Sequence, residues 1–176
     1  MYTLFSHRGN EKRFIENTKD AILNCEYEGI EVDVRLTYDN NIILHHDDTY
    51  KRIYNLSYKV RDLDLQQMEH YDSLVEIYQF LNFCKINKKK TIIDIKEETY
   101  EDIVLIIDVC VAYSKKIKYN INNIVFLCWK DILKPDKTIT YLIAMDEDRI
   151  SKAKIDMYKN ELLFDGICLK YTGKYM

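Results

Sequence analysis

The chain has 176 residues, of which 47% are hydrophobic and 31% charged, a composition typical of one globular domain and not of a disordered chain. Its 26 basic and 29 acidic residues give a net charge of −3, which disfavours nucleic-acid binding by charge alone. No apolar run approaches the ~20 residues that span a bilayer, so we expect no stable membrane insertion. We therefore treat residues 1–176 as a single domain.

The 5 cysteines are odd in number, widely spaced and embedded in apolar segments, with no CxxC pair. This usage is typical of buried free thiols in a reducing compartment. The N-terminal segment lacks the basic region and long apolar run of a secretory signal. We therefore expect a cytoplasmic protein.

Short strands alternate with helices along the chain. Asn17 is predicted to be a helix N-cap with Asp20 at its third helical position, and Gly29 ends that helix. Alternating apolar residues predict strands, and apolar stripes at helical spacing predict helices. In chain order we predict strand 2–6, helix 17–28, strands 30–37 and 42–46 as a hairpin-like pair, a long loop 47–71 with a helical turn at 64–68, helix 73–85, strand 91–95, helix 100–116, strands 124–129 and 138–145, helix 149–163 and strand 167–171.

This alternation favours a mainly parallel sheet with helical crossovers. An open doubly wound sheet and a (β/α) barrel both fit this pattern. The glycine-rich phosphate loops of common nucleotide-binding folds are absent.

Unusual polar residues fall within or at the ends of four predicted strands. Because the carboxyl ends of parallel strands meet at one rim, we expect these side chains to lie together. They are His7 and Arg8, Glu31 and Asp33, His46 and Asp47, and Asp94 and Lys96.

Glu31 and Asp33 are two residues apart on a strand, so their carboxylates share one face. Like charges held together inside a fold are costly unless a cation neutralises them. Oxygen ligands without cysteine indicate a hard divalent cation, Mg²⁺ or Ca²⁺.

The ordered motifs over residues 1–98 resemble the glycerophosphodiester phosphodiesterase family. Their order along the chain is far more specific than any one of them alone. They are His-Arg-Gly at 7–9, Glu-Asn-Thr at 16–18, Glu-x-Asp at 31–33 followed by Leu-Thr-x-Asp at 36–39, His-His-Asp-Asp-Thr at 45–49 with Arg52 after it, Ser-Leu-Val-Glu at 73–76, and Ile-Asp-Ile-Lys at 93–96.

The resemblance implies a (β/α) TIM-type barrel that hydrolyses a glycerophosphodiester to glycerol 3-phosphate and an alcohol with a divalent cation. Residue by residue, it implies His7 and His46 as the acid–base pair, Glu31, Asp33 and Asp94 as metal ligands, and Arg8 and Lys96 as phosphate contacts. Cys128-Trp129 stands where the family often has Ser-Phe, so Trp129 is either a substrate-binding wall of the pocket or a core aromatic residue. His46 is preferred to His45 because it directly precedes the Asp-Asp-Thr run, and His45 should face the other way.

Two further departures from the family affect what we expect. The family usually has Glu where Asp94 stands. A complete barrel takes roughly 250 residues, so we expect a shortened barrel that lacks about two βα units. The last two strands match either the fifth and sixth or the seventh and eighth strands of a barrel. A shortened barrel leaves open sheet edges, which predicts a homodimer or a loop that covers the gap.

Two other functions also fit these residues. One is a phospholipase D-like enzyme of the same fold that acts on a lysophospholipid or another small phosphodiester. The other is a non-catalytic phosphate-binding module.

Overall fold

The computed structural model describes residues 3–68, 73–129, 139–146 and 166–170. Residues 141, 143–146 and 166–170 are described by their backbone alone. The predicted helix 149–163 lies outside the described residues.

Each predicted strand has a counterpart, with ends that differ by a few residues. The strands are β1 (Phe5–Ser6), β2 (Gly29–Leu36), β3 (Ile42–Leu44), β4 (Lys90–Ile95), β5 (Ile124–Cys128), β6 (Thr140–Asp146) and β7 (Gly166–Lys170). The helices are α1 (Lys19–Leu23), α2 (Lys51–Tyr54), α3 (Leu65–Met68), α4 (Ile77–Ile86) and α5 (Tyr100–Ile117), with 3₁₀ turns at Val60–Asp62 and Ile121–Asn123.

The strands form one sheet in the order β1-β2-β4-β5-β6-β7. All of these neighbours pair in parallel, whereas β3 pairs antiparallel with β2. The predicted parallel sheet and hairpin-like pair are therefore confirmed. By pairing order, β6 and β7 are the fifth and sixth parallel strands of this sheet.

The main core lies between one face of the sheet and the helices α4 and α5. On β2 the even-numbered residues are completely buried in this layer, as are Phe80 of α4 and Ile107 of α5. Complete burial of a large apolar side chain contributes about 1.5–3 kcal/mol. Because strand residues alternate between faces, this layer directs the odd-numbered residues of β2 to the opposite face.

The predicted N-cap of α1 is wrong by one residue. Thr18 is the N-cap, and its hydroxyl accepts from the Ala21 backbone N–H, while Asn17 adopts a left-handed φ of 56°. The helix ends at Leu23 instead of 28, because Asn24 caps it with a side-chain hydrogen bond to the Asp20 carbonyl.

Gly9 is required where the loop after β1 packs against α1. Its φ is +79°, and a Cβ there would lie 2.8 Å from the Ala21 carbonyl carbon and oxygen. A larger residue would be strained in conformation and would collide with backbone.

The segment predicted as a long loop contains more structure than expected. Besides the predicted helical turn, which is α3, it contains α2 and a 3₁₀ turn. These elements enclose a second apolar cluster of Ile43, Tyr50, Val60 and Met68. Elements this short carry too few residues for a periodic pattern.

The predicted start of the next helix is also wrong. Helix α4 begins at Ile77 and not at 73, because Glu76 and Gln79 form a capping box there.

His45 packs against this second cluster. It is 1% exposed, its Nε2 lies 2.9 Å from the Thr49 carbonyl, and its ring centroid lies 5.1 Å from that of Tyr50 and 6.1 Å from that of Tyr54. Burial lowers the pKa of His45 below its usual 6.5. The folded protein therefore holds this ring neutral in a pH range where the unfolded chain protonates it.

We predict that stability falls on acidification because of His45. The unfolded chain binds the extra proton, so its contribution is complete above pH 6.5 and declines below it, by at most about 1.4 kcal/mol per pH unit. His45→Gln removes this proton uptake. Urea unfolding at pH 7.5, 6.5 and 5.5 should show a shallower pH dependence in the variant than in the wild type. Equal slopes would contradict the prediction.

Candidate active site

The register between β2 and β4 places the three predicted carboxylates together. Asp33 is the direct cross-strand partner of Asp94, and Glu31 precedes Asp33 by two residues on the same face. One oxygen of each carboxylate lies within 4.8 Å of the others. The Asp33 side chain is only 1% exposed, so this acidic cluster is shielded from water.

Burial and mutual repulsion control the charge of the acidic cluster. Burial, and next the charge of Asp33, raise the pKa of Glu31 to about 8. Burial also raises the pKa of Asp94. Burial opposes ionisation of Asp33 too, but the charges of Lys96 and Arg8 outweigh it and lower the pKa of Asp33. Full ionisation of all three therefore needs additional positive charge.

Lys96 supplies part of that charge. Its Nζ lies 2.9 Å from Asp33 Oδ1 and also pairs with Asp94 Oδ2. Burial acts to lower the pKa of Lys96, but the charges of Asp33 and Asp94 prevail and raise it. Trp129 borders this pair, since its Nε1 donates to Asp94 Oδ2 at 3.3 Å and its ring centroid lies 5.7 Å from Lys96 Nζ.

Arg8 contacts three different carboxylates. Its backbone N–H donates to Glu31 Oε2, its Nε lies beside Asp33 Oδ2, and its Nη1 donates to Glu16 Oε1, each at 2.9 Å. Its φ of 52° is left-handed, an uncommon conformation for a residue other than glycine. The backbone turn and the guanidinium therefore act on the acidic cluster together.

Asn17 is a site residue that its prediction as a helix cap did not explain. It is buried, its Nδ2 donates to Asp33 Oδ2 at 2.8 Å, and its Oδ1 accepts from the Asp33 backbone N–H at 3.2 Å. The amide thus fixes one metal-ligand candidate by two contacts. Only the Glu-Asn-Thr motif indicated this position.

The two predicted catalytic histidines are each held at Nδ1 by a carboxylate. His7 Nδ1 lies 2.7 Å from Glu11 Oε1, and His46 Nδ1 lies 2.8 Å from Asp47 Oδ1. A carboxylate only accepts, so the neutral ring carries its proton on Nδ1 and leaves Nε2 as the base. His7 Nε2 also lies 4.0 Å from Glu31 Oε2.

The histidines differ in exposure. The side chains of His7 and His46 are 58% and 35% exposed, whereas His45 is buried against the second cluster. His45 and His46 therefore lie in different surroundings, as predicted, although β3 ends at Leu44 before either of them.

Arg35 is a second residue that the sequence did not single out. Its Nε donates to the His46 carbonyl at 2.9 Å and its Nη1 to the Lys96 carbonyl at 3.2 Å. It lies two residues beyond Asp33, on the same face of β2. One side chain therefore ties the segments that follow β3 and β4 to β2.

The acidic cluster fits a hard cation. Asp94 Oδ1 is buried and, within the described part of the chain, has no hydrogen-bond partner. An orphaned carboxylate oxygen of this kind is costly without a further positive group. Three carboxylates are the ligand type that Mg²⁺ and Ca²⁺ prefer.

The fold and the rim of charged side chains define a (β/α) barrel-type protein with an acidic cluster beside the basic residues Arg8 and Lys96. Residues 7–165 match the model of the glycerophosphoryl diester phosphodiesterase family, and the chain belongs to that family.

Two curated relatives illustrate the similarity in sequence. A glycerophosphodiester phosphodiesterase of Bacillus altitudinis is 32% identical over 82 residues, which are 45% of this chain and 34% of the relative. A mouse lysophospholipase D is 29% identical over 99 residues, 54% of this chain and 31% of the relative. The matched segment thus spans about a third of each relative.

Solved structures share the fold over nearly the whole chain. A glycerophosphodiester phosphodiesterase from Thermotoga maritima aligns with a TM-score of 0.75 at 22% identity, covering 96% of this chain and 74% of that one. A phosphodiesterase from Oleispira antarctica, solved with the product sn-glycerol 3-phosphate, aligns with a TM-score of 0.60 at 11% identity, covering 97% and 85%. These neighbours confirm the predicted TIM-barrel class. Among the described residues, no helix is both long and apolar enough to cross a membrane.

Proposed function

We propose that this protein is a metal-dependent phosphodiesterase that hydrolyses a glycerophosphodiester to glycerol 3-phosphate and an alcohol. The observation that carries the proposal is the acidic cluster, with one oxygen of each carboxylate within 4.8 Å of the others and with Arg8 and Lys96 in contact with it. Such an arrangement is suited to an anionic substrate that reacts next to a cation.

Glu31, Asp33 and Asp94 would hold the cation, either Mg²⁺ or Ca²⁺. When bound, the cation supplies positive charge that offsets the negative charge of the phosphodiester. The shorter Asp94 takes the place of the glutamate that is usual in the family.

Arg8 and Lys96 are the proposed phosphate contacts. Each already pairs with Asp33 from a largely buried position, so each presents a fixed positive charge beside the acidic cluster. A guanidinium matches two phosphate oxygens with two N–H groups, whereas an ammonium acts as a point charge. The exposed indole of Trp129 next to Lys96 is proposed to form a wall of the substrate pocket.

His7 and His46 are the proposed acid–base pair. One Nε2 takes the proton of the attacking hydroxyl as its oxygen bonds to phosphorus. The other ring, protonated, gives its proton to the departing alcohol oxygen as that phosphorus–oxygen bond breaks. The attacking hydroxyl belongs either to water or to the glycerol group of the substrate, which would give a cyclic phosphate first.

The second candidate is a lysophospholipid substrate cleaved in a phospholipase D-like way. The match to a mouse lysophospholipase D favours it, because that protein is 29% identical over 54% of this chain. Both candidates use the same residues and differ only in the group attached to the glycerol phosphate.

We predict that Mg²⁺ or Ca²⁺ stabilises the protein through the acidic cluster. At a metal concentration 100 times Kd, binding adds about 2.7 kcal/mol, which raises Tm by about 5–10 °C in a chain of this size. Asp94→Asn should remove most of this shift, whereas Asp108→Asn on the exposed face of α5 should keep it. Thermal unfolding across a metal titration measures both. An anomalous-scattering peak away from the cluster would contradict the site.

We predict that His7→Ala and His46→Ala each lower kcat about 100-fold to 10,000-fold, because each removes one proton transfer. Glycerol 3-phosphate released from glycerophosphocholine and glycerophosphoethanolamine is the readout, with a lysophospholipid assayed in parallel. His45→Gln, assayed at pH 7.5, is the matched control and should retain activity.

Activity that survives both alanine substitutions would overturn the acid–base assignment. Turnover of the lysophospholipid alone would favour the second candidate. Phosphate binding without turnover of any substrate would instead support a non-catalytic phosphate-binding module.

We further propose that the protein forms a homodimer. In the described part of the chain, β1 pairs only with β2 and β7 only with β6, and strands with one open edge tend to associate. Sedimentation velocity should therefore show a dimer. A monomer at all concentrations would contradict this expectation and would favour a loop that covers the edge.

A further inference from the structure

A chain of charged contacts leads from His46 to the loop that carries His7. Asp47 Oδ1 lies 2.8 Å from His46 Nδ1, and Asp47 Oδ2 accepts from Arg52 Nε at 2.6 Å. Arg52 Nη2 donates to Glu16 Oε1 at 2.6 Å, and the same oxygen accepts from Arg8 Nη1 at 2.9 Å. Two segments far apart in sequence are therefore joined through one guanidinium.

We propose that Arg52 is a positioning residue: by bridging Asp47 and Glu16, it holds the Asp47 carboxylate against His46 Nδ1 and so fixes the tautomer and orientation of the His46 ring. Arg52 need not touch the substrate in this role. The effect of Arg52 on activity rests on the proposed function, whereas its effect on the His46 tautomer does not.

The geometry of Arg52 is specific to a guanidinium. Nε and Nη2 lie on one side of a planar fork, and each donates to a different carboxylate. A lysine in the same place would offer a single nitrogen. Burial acts to raise the pKa of Asp47, but hydrogen bonds from Arg52 and then His46 prevail and lower it to about 2. Asp47 thus stays ionised and acts only as an acceptor for His46.

The backbone of Arg52 is firmly held, whereas its side chain is half-exposed. Its backbone is in α2, which directly follows Tyr50, a completely buried residue of the second cluster. Its side chain is 49% exposed. Ion pairs of half-exposed side chains add little to stability. Loss of the guanidinium should therefore change the orientation of His46 without unfolding the protein.

The test compares Arg52→Ala and Arg52→Lys with Lys51→Ala, which removes one cation from the same helix. Lys51 bonds only to its neighbour Asn55 in the described hydrogen-bond network and is exposed. We expect Arg52→Ala to lower kcat about 10–100-fold with KM nearly unchanged, a range typical of residues that orient a metal ligand. Arg52→Lys should recover only part of the loss, and added guanidinium chloride should restore kcat of the alanine variant. Lys51→Ala should have neither effect.

A direct contact between Arg52 and the substrate phosphate would instead raise KM, and that result would overturn the proposal. An unchanged kcat would do so as well. Loss of activity that guanidinium does not restore, together with a lowered Tm, would assign Arg52 a structural role only.

Long-range ¹⁵N–¹H spectra of the imidazoles make the outcome independent of turnover. The wild type should show His46 with its proton on Nδ1, and Arg52→Ala should show a mixture of tautomers. If no substrate is hydrolysed but the tautomer shifts, the proposed function fails and the positioning role stands. If substrate is hydrolysed and the His46 signals are identical in both proteins, the positioning role fails.

Discussion

The cross-strand pairing of Asp33 with Asp94 is the constraint on which the rest of the site depends. A parallel register places these carboxylates side by side on a face that is shielded from water, and Glu31 adds a third. Charges of one sign are costly in such surroundings. The surrounding polar residues reduce this electrostatic cost. Lys96 and Arg8 bring positive charge, and Asn17 donates a hydrogen bond to Asp33. Glu31 keeps its proton to a higher pH than an ordinary glutamate, because its pKa is raised to about 8.

The loop after β1 is built to serve this cluster. Arg8 can give its backbone N–H to Glu31 and its guanidinium to Asp33 at the same time because its backbone turns through a left-handed conformation. That turn lies against α1, where Gly9 alone leaves enough room for the Ala21 carbonyl. A requirement of backbone packing and a requirement of charge thus meet within two consecutive residues. His7 precedes them directly, so its placement depends on the same turn.

The sequence predicted the parallel sheet and the proximity of its charged side chains, because both depend on short repeating rules. Alternation on β2 directs Glu31 and Asp33 to one face, and strand ends converge on one rim. The parts that were missed depend on contacts between distant segments. Asn17 is a residue type typical of helix caps, and only the position of Asp33 explains its hydrogen bond to that carboxylate. Arg35 looks like a surface residue until the carbonyls of His46 and Lys96 are placed beside it.

The connection between β3 and α4 has a consequence for how this protein can change. The Leu44 N–H donates to the Val75 carbonyl, and Ile43 forms a bridge with Glu76, so the chain leaves the sheet and returns to it at one place. The excursion between these points has its own apolar cluster. Lengthening or shortening a segment whose ends already meet costs little loop-closure entropy. Evolution can therefore change the length of this excursion beyond Arg52, while the contacts of Asp47 and Arg52, the strand register and the carboxylate cluster are inherited unchanged.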